Sequence, residues 1–163
     1  MTAAVVAPTD ERLFRSVFGA IPTGVTVLTT STRDGPAGMT ASAVCSLSLQ
    51  PQLALACVST KSATLRAILD HGVFAINVLN RDSAAISAAF ACPRSQAERF
   101  VNVLHRTRHG VPVLSDALAW AVCQVHSTHP GGDHTMLVGA VTEMARATGD
   151  SLVHHDGRYR ALR

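Results

Sequence analysis

Over residues 39–49 the side chains alternate with a period of two. Thr40, Ser42, Ser46 and Ser48 take one parity, and Met39, Ala41, Ala43, Cys45, Leu47 and Leu49 take the other. Only extended backbone returns a side chain to the same face every second residue, so this stretch reads as one strand with a small hydroxylic face and an apolar face. After Pro51, residues 53–58 form an unbroken apolar run, the pattern of a strand buried on both sides. A sheet is therefore the frame into which the rest of the chain has to fit.

The remaining segments supply more strands than helices. Thr9 or Asp10 can cap a first helix whose apolar residues Leu13, Phe14, Val17, Phe18 and Ile21 recur at helical spacing, which predicts a core-facing helix ending within 19–22. Residues 23–30 are rich in β-branched side chains and run into a polar turn at 31–35, the pattern of a strand entering a hairpin. Ser59 or Ser62 can cap a helix over 63–69 closed by Gly72, and a strand follows at 73–79. A short helix over 82–91 precedes a loop around Pro112. Long strands are expected at 118–127 and 135–145, joined by His129-Pro130-Gly131-Gly132-Asp133-His134, with a last short strand holding Leu152 and Val153. Many strands without βαβ alternation predict a mainly β chain forming a closed antiparallel barrel.

At 163 residues one domain is expected, with residues 1–9 as a flexible tail. Hydrophobic residues reach 47% and charged ones only 15%, yet no run is long enough to cross a bilayer, so the apolar surplus is expected to cover a subunit interface. The apolar residues 3–7 follow no basic residue and are broken at once by Pro8, Asp10 and Glu11, so a signal peptide is not expected and the cytoplasm is. Cys45, Cys57, Cys92 and Cys123 contain no CxxC pair, which predicts buried free thiols and no metal site. A net charge of +3 spread over dispersed basic residues gives no reason to expect nucleic acid as a partner.

Three places can carry chemistry. Ser59-Thr60-Lys61-Ser62-Ala63-Thr64 sets hydroxyls and an ammonium beside the free N–H groups of a helix start, an arrangement suited to phosphate; the same hydroxyls also serve as a plain helix cap. The hydroxylic face of residues 39–49 can hold a planar ligand rich in acceptors, or can simply be the solvated side of a sheet. The segment from His129 to His134 can bring His134 to a substrate, form an ordinary hairpin turn, or group His126, His129, Asp133 and His134 around a metal.

Taken in order, Thr23-Gly24-Val25-Thr26-Val27, Gly38-Met39-Thr40-Ala41-Ser42, Ser46-Leu47-Ser48-Leu49-Gln50-Pro51, Phe74-Ala75-Ile76-Asn77-Val78-Leu79 and Gly132-Asp133-His134 resemble the flavin reductase domain family. Phe90-Ala91, Glu98-Arg99-Phe100 and Gly139-Ala140-Val141 fit the same pattern, and the resemblance spans residues 14–162. It implies a homodimeric, FMN-binding split β-barrel of antiparallel Greek-key type with a few short helices. The implied activity is reduction of FMN or FAD by NADH or NADPH, with reduced flavin passed to a partner flavin-dependent monooxygenase.

Position by position, the resemblance places Pro22, Thr23, Gly24 and Val25 with Met39, Thr40, Ala41, Ser42, Cys45 and Ser46 along the flavin ring and ribityl chain. Ser59, Ser62 and Thr64 hold its phosphate, and Ala91 and Phe100 add contacts. His134 is the implied catalytic residue beside the nicotinamide, over which Arg158 and Tyr159 close. The alternatives in the same family of barrels are a non-catalytic flavin carrier and a flavin oxidoreductase like the pyridoxamine-phosphate oxidases.

Overall fold

The structure is a computed structural model that describes residues 10–160; the expected N-terminal tail lies outside the described residues. Asp10 caps α1 (Glu11–Gly19) by accepting from the N–H groups of Arg12 and Leu13. The chain then crosses through β1 (Thr23–Gly24) into β2 (Thr26–Thr32). The expected single strand over 23–30 is thus two, divided at Val25, whose N–H donates to Leu152 and whose C=O accepts from Leu79. Two different sheets claim the two sides of this one residue.

β3 (Gly35–Ala41) pairs back on β2, and β4 (Val44–Leu49) pairs with β5 (Gln52–Ser59). The continuous alternation over 39–49 therefore conceals a break at Ser42 and Ala43. Each half keeps a period of two, so the pattern does not register the change of partner.

Beyond β5 come α2 (Ala63–His71), closed by Gly72 at φ +79, and β6 (Val73–Leu79). α3 (Ala84–Ala91) and α4 (Gln96–Arg99) follow. Next is a hairpin of β7 (His105–Arg108) and β8 (Val111–Leu114), which occupies the expected loop around Pro112. The long strands β9 (Ala117–Gly131) and β10 (His134–Arg146) outrun their expected lengths and leave a turn of only Gly132 and Asp133. The chain ends in β11 (Val153–His155) and β12 (Arg158–Arg160).

Every ladder is antiparallel, and the main sheet runs β3-β2-β6-β9-β10-β5-β4, with β1-β11-β12 and β7-β8 as smaller sheets. The closed barrel is not formed, because no ladder joins the edge strands β3 and β4. The physical reason lies at Gly38. Its N–H donates to Gln96 Oε1 at 2.8 Å and its C=O accepts from Arg99 Nη1 at 2.7 Å, so α4 side chains fill the edge positions that another strand would take.

The sheet curls around one core of Leu28, Phe74, Cys123, Leu137 and Val58, which α2 covers with Leu65 and Ile68. The opposite face packs Val27 and Leu79 against Phe90, Phe100 and Leu152. Phe74 lies so close to β10 that a Cβ on Gly139 would stand 2.6 Å from its ring.

Two expectations about burial are corrected. α1 contributes no buried residue: Phe14, Val17 and Phe18 are more than half exposed, as is Ile21 just beyond its end. Helical spacing identifies an apolar face without saying what covers it. Among the cysteines only Cys123 is buried, while Cys45 is exposed and Cys57 and Cys92 are partly covered. No described helix is long and apolar enough to cross a membrane.

Candidate functional site

Ser62 sits in extended backbone at the head of α2 and accepts from the Leu65 N–H at 3.3 Å. The next residues have helical geometry and no preceding turn, so their N–H groups and the positive end of the helix dipole face outward. They adjoin a cavity of about 380 Å³ lined by Met39, Thr40, Lys61, Ser62, Thr64, Ala91, Gln96 and Arg99. Among the described residues no carboxylate lines it.

Its walls are braced from α4. Gln96 donates to Thr64 Oγ1 at 3.1 Å while accepting from Gly38, which joins the head of α2 to the edge of β3. Arg99 donates from Nη1 to the Gly38 carbonyl and from Nη2 to the Cys92 carbonyl at 2.9 Å. Its Nε is buried and is the one such side-chain atom without a partner among the described residues. A buried donor left unpaired costs free energy, and this atom is closed off from the cavity as it stands. Helix N-terminus, hydroxyls, ammonium and the nearby guanidinium charge all fit a phosphate.

Beside this cavity stands the β9–β10 turn. His134 opposes Ser59 across the ladder, and Thr60 donates both its N–H and its hydroxyl to the Asp133 carbonyl at 3.0 and 3.1 Å. The half-exposed His134 donates from Nδ1 to Asp133 Oδ1 at 2.7 Å. That hydrogen bond, and after it the charge of the ring, holds the Asp133 carboxyl below its usual range; Lys61 adds to this. A short two-residue turn thus ties the ring to Asp133, while His134 is not among the residues lining the phosphate-fitting cavity. Among the described residues no group of three or more His, Cys, Asp or Glu is placed to hold a metal.

The C-terminal sheet approaches from the other side. Thr23 pairs with His154, and His154 packs edge-on against Tyr159. Tyr159 donates to the fully buried Ser87 at 2.9 Å, and Thr40 donates to the Ser87 carbonyl at 2.7 Å. Arg158 is exposed on β12. No hydrogen bond among the described residues joins His134 to Arg158 or Tyr159.

The remaining expected flavin contacts are distributed. Met39, Thr40, Ser62, Thr64 and Ala91 share the phosphate-fitting cavity, while Gly24, Cys45 and Ser46 line a second, apolar groove of about 420 Å³. Pro22 and Ser42 are exposed. Val25, Ala41 and Phe100 turn their side chains into the core, leaving mainly backbone atoms for a ligand. Gln96 and Arg99 were not among the expected contacts. Arg99 does fall within the motif Glu98-Arg99-Phe100 quoted for the resemblance, and the capping box of Ser95 and Glu98 fixes the short helix that aims both residues.

A family profile described as "Flavin reductase like domain" matches residues 18–163. The chain belongs to the flavin reductase family. "Flavin reductase (NADH)" of Kitasatospora aureofaciens is 46% identical over 134 residues, covering 81% of this chain and 70% of that protein. The reductase component of a 4-nitrophenol 4-monooxygenase/4-nitrocatechol 2-monooxygenase from Rhodococcus opacus is 38% identical over 160 residues, 98% of this chain and 85% of that protein. Among solved structures of the flavin reductase type, the NADH:FAD oxidoreductase SgcE6 of Streptomyces globisporus superposes with a TM-score of 0.94 at 32% identity, covering 100% and 99% of the two chains.

Proposed function

We propose that this protein is an NAD(P)H-dependent flavin reductase that binds FMN or FAD, reduces it and releases it to a flavin-dependent monooxygenase. The observation that carries this reading is the cavity at the head of α2, where the helix N-terminus, Lys61, Ser62 and Thr64 converge and Arg99 forms part of the wall. The names of the relatives support it, among them an NADH flavin reductase and a monooxygenase reductase component. The solved complex of SgcE6 with NAD and FAD fragments has a TM-score of 0.93 to this chain, which supports the same pair of cofactors.

When bound, the flavin supplies the acceptor for a hydride leaving C4 of the dihydronicotinamide. The chain's own task is to hold the two rings face to face and dry, so no strong acid or base is required. In this reading Ser59, Ser62, Thr64 and Arg99 grip the phosphate, and Pro22 to Val25 with residues 39–46 flank the ring and ribityl chain. His134, oriented by Asp133, positions the nicotinamide, and β12 closes over it with Arg158 and Tyr159. The protein works as a cytoplasmic homodimer of split-barrel chains.

The test is to mix the protein with NADH and excess FMN and follow the nicotinamide absorbance. Continuous, multi-turnover loss is expected. One stoichiometric change, or none, would replace the reductase with a non-catalytic flavin carrier.

A further inference from the structure

α3 is built from alanines, Ile86 and Phe90 with a single polar residue, Ser87, and that residue is fully buried. A serine inside a helix ordinarily turns its hydroxyl to water or back to the carbonyl one turn earlier. Among the described residues Ser87 Oγ does neither. Its partner is the Tyr159 hydroxyl, 72 residues further along the chain, which donates to it at 2.9 Å. Burying a hydroxyl costs free energy unless a hydrogen bond offsets it, so this contact is a specific feature of the fold.

The other end of the bond lies on the strand that the reductase reading sets over the nicotinamide. β12 pairs only with β11, and among the described residues the bond from Tyr159 to Ser87 is the one hydrogen bond that joins it to any other element. Alternation turns Arg158 and Arg160 to the face opposite Tyr159. His154, directly across the ladder, packs edge-on against the Tyr159 ring with centroids 5.9 Å apart. The ring is thus held along one side by His154 and at its tip by Ser87, and 40% of the residue stays exposed. From the flavin side, Thr40 on the wall of the cavity donates to the Ser87 carbonyl at 2.7 Å. One residue of α3 therefore meets the flavin wall through its carbonyl and the closing strand through its hydroxyl.

We propose that Ser87 is a positioning residue for the nicotinamide, whose hydroxyl fixes where the Tyr159 ring and β12 stand relative to β3. The inference rests on the reductase reading above and goes beyond it by naming the group that holds the closing strand. Being fully buried, Ser87 acts only through Tyr159. Because the phenol gives its proton inward to Ser87, Tyr159 offers the nicotinamide a ring surface and not an acid. A hydride transfer between two stacked rings needs that surface and needs no acid.

The experiment compares the wild type, Ser87→Ala, Tyr159→Phe and the double variant in steady-state kinetics with NADH and FMN. Each substitution removes one oxygen and keeps the rest of the side chain, and Ser87→Ala retains the carbonyl that Thr40 uses. Each single variant is expected to raise the KM for NADH about fivefold, the worth of one neutral hydrogen bond, with kcat and the KM for FMN within about twofold of wild type. The double variant is expected to match the singles, since both changes delete the same bond. An unchanged KM for NADH in the singles, losses that fall equally on kcat and the KM for FMN, or effects that multiply in the double variant would overturn the assignment. Amide exchange of the protein without flavin or nicotinamide reads the same bond independently of turnover. β11 and β12 are expected to exchange about fivefold faster in Ser87→Ala, with β6 unchanged. Equal exchange in the two proteins would defeat the anchor itself, whereas a wild type that oxidises no NADH would defeat the reductase reading and the nicotinamide role together.

Discussion

Arg99 holds two backbone carbonyls with its terminal nitrogens and lines the cavity at the head of α2, so its positive charge lies beside the proposed phosphate site. Lysine retains the charge but lacks the planar fork. Arg99→Lys is therefore expected to weaken FMN binding about tenfold or more, the equivalent of one charge-assisted hydrogen bond, as read by quenching of flavin fluorescence. His134 makes a different claim. His134→Ala is expected to raise the KM for NADH or lower kcat while leaving flavin affinity nearly unchanged; unchanged steady-state kinetics would remove it from the nicotinamide site.

Cys123 sets a pH dependence at the same scale. Burial pushes its thiol up to about 12 from an ordinary value of 9.0, so the unfolded chain gives up this proton first. The contribution is fully present below pH 9 and is lost as pH rises toward 12. The melting temperature of the wild type is expected to fall more steeply above pH 9 than that of Cys123→Ala. Equal slopes would show that this thiol does not govern the alkaline limb.

Among the elements, β6 is tied to its neighbours by one buried amide. Asn77 donates to the Val27 carbonyl and to Thr29 Oγ1, both at 3.0 Å, and accepts from the Leu114 N–H at 2.9 Å. This joins β2, β6 and β8. Asn77→Leu strands buried backbone groups and is expected to cost about 2–3 kcal/mol in urea denaturation without displacing any group in the cavity. Gly139→Ala tests the close approach of β10 to β6. Its Cβ would fall 2.6 Å from the Phe74 ring and 2.7 Å from Cys123 Cβ, and overpacking of this kind costs about 1–3 kcal/mol. The element types were legible because each run carries its own periodicity: β6 and α2 lie where spacing and caps place them. The break at Ser42 and Ala43 was not, because both halves alternate alike in sequence while the parity that faces the core switches from Met39 and Ala41 in β3 to Val44 in β4, leaving Leu47 and Leu49 exposed.

At the scale of the whole molecule, a ligand that binds only the native state has to raise apparent stability. Saturating FMN is expected to raise the melting temperature of the wild type, and that of Arg99→Lys by less.

Local rules were enough to establish strands, helix starts, the hydroxyls of residues 59–64 and the motifs that carry the family likeness, since each depends on neighbours within a few residues. Only the tertiary structure brought Ser59 opposite His134, set Tyr159 and Thr40 on the same Ser87, and carried Arg99 to the edge of β3. These contacts join positions 61 to 75 residues apart, or meet through a third residue, and no periodicity reaches across such a loop. The sheet's closure was decided there as well. It depends on which groups reach the free edge of β3 first, and in this chain those are the side chains of Gln96 and Arg99.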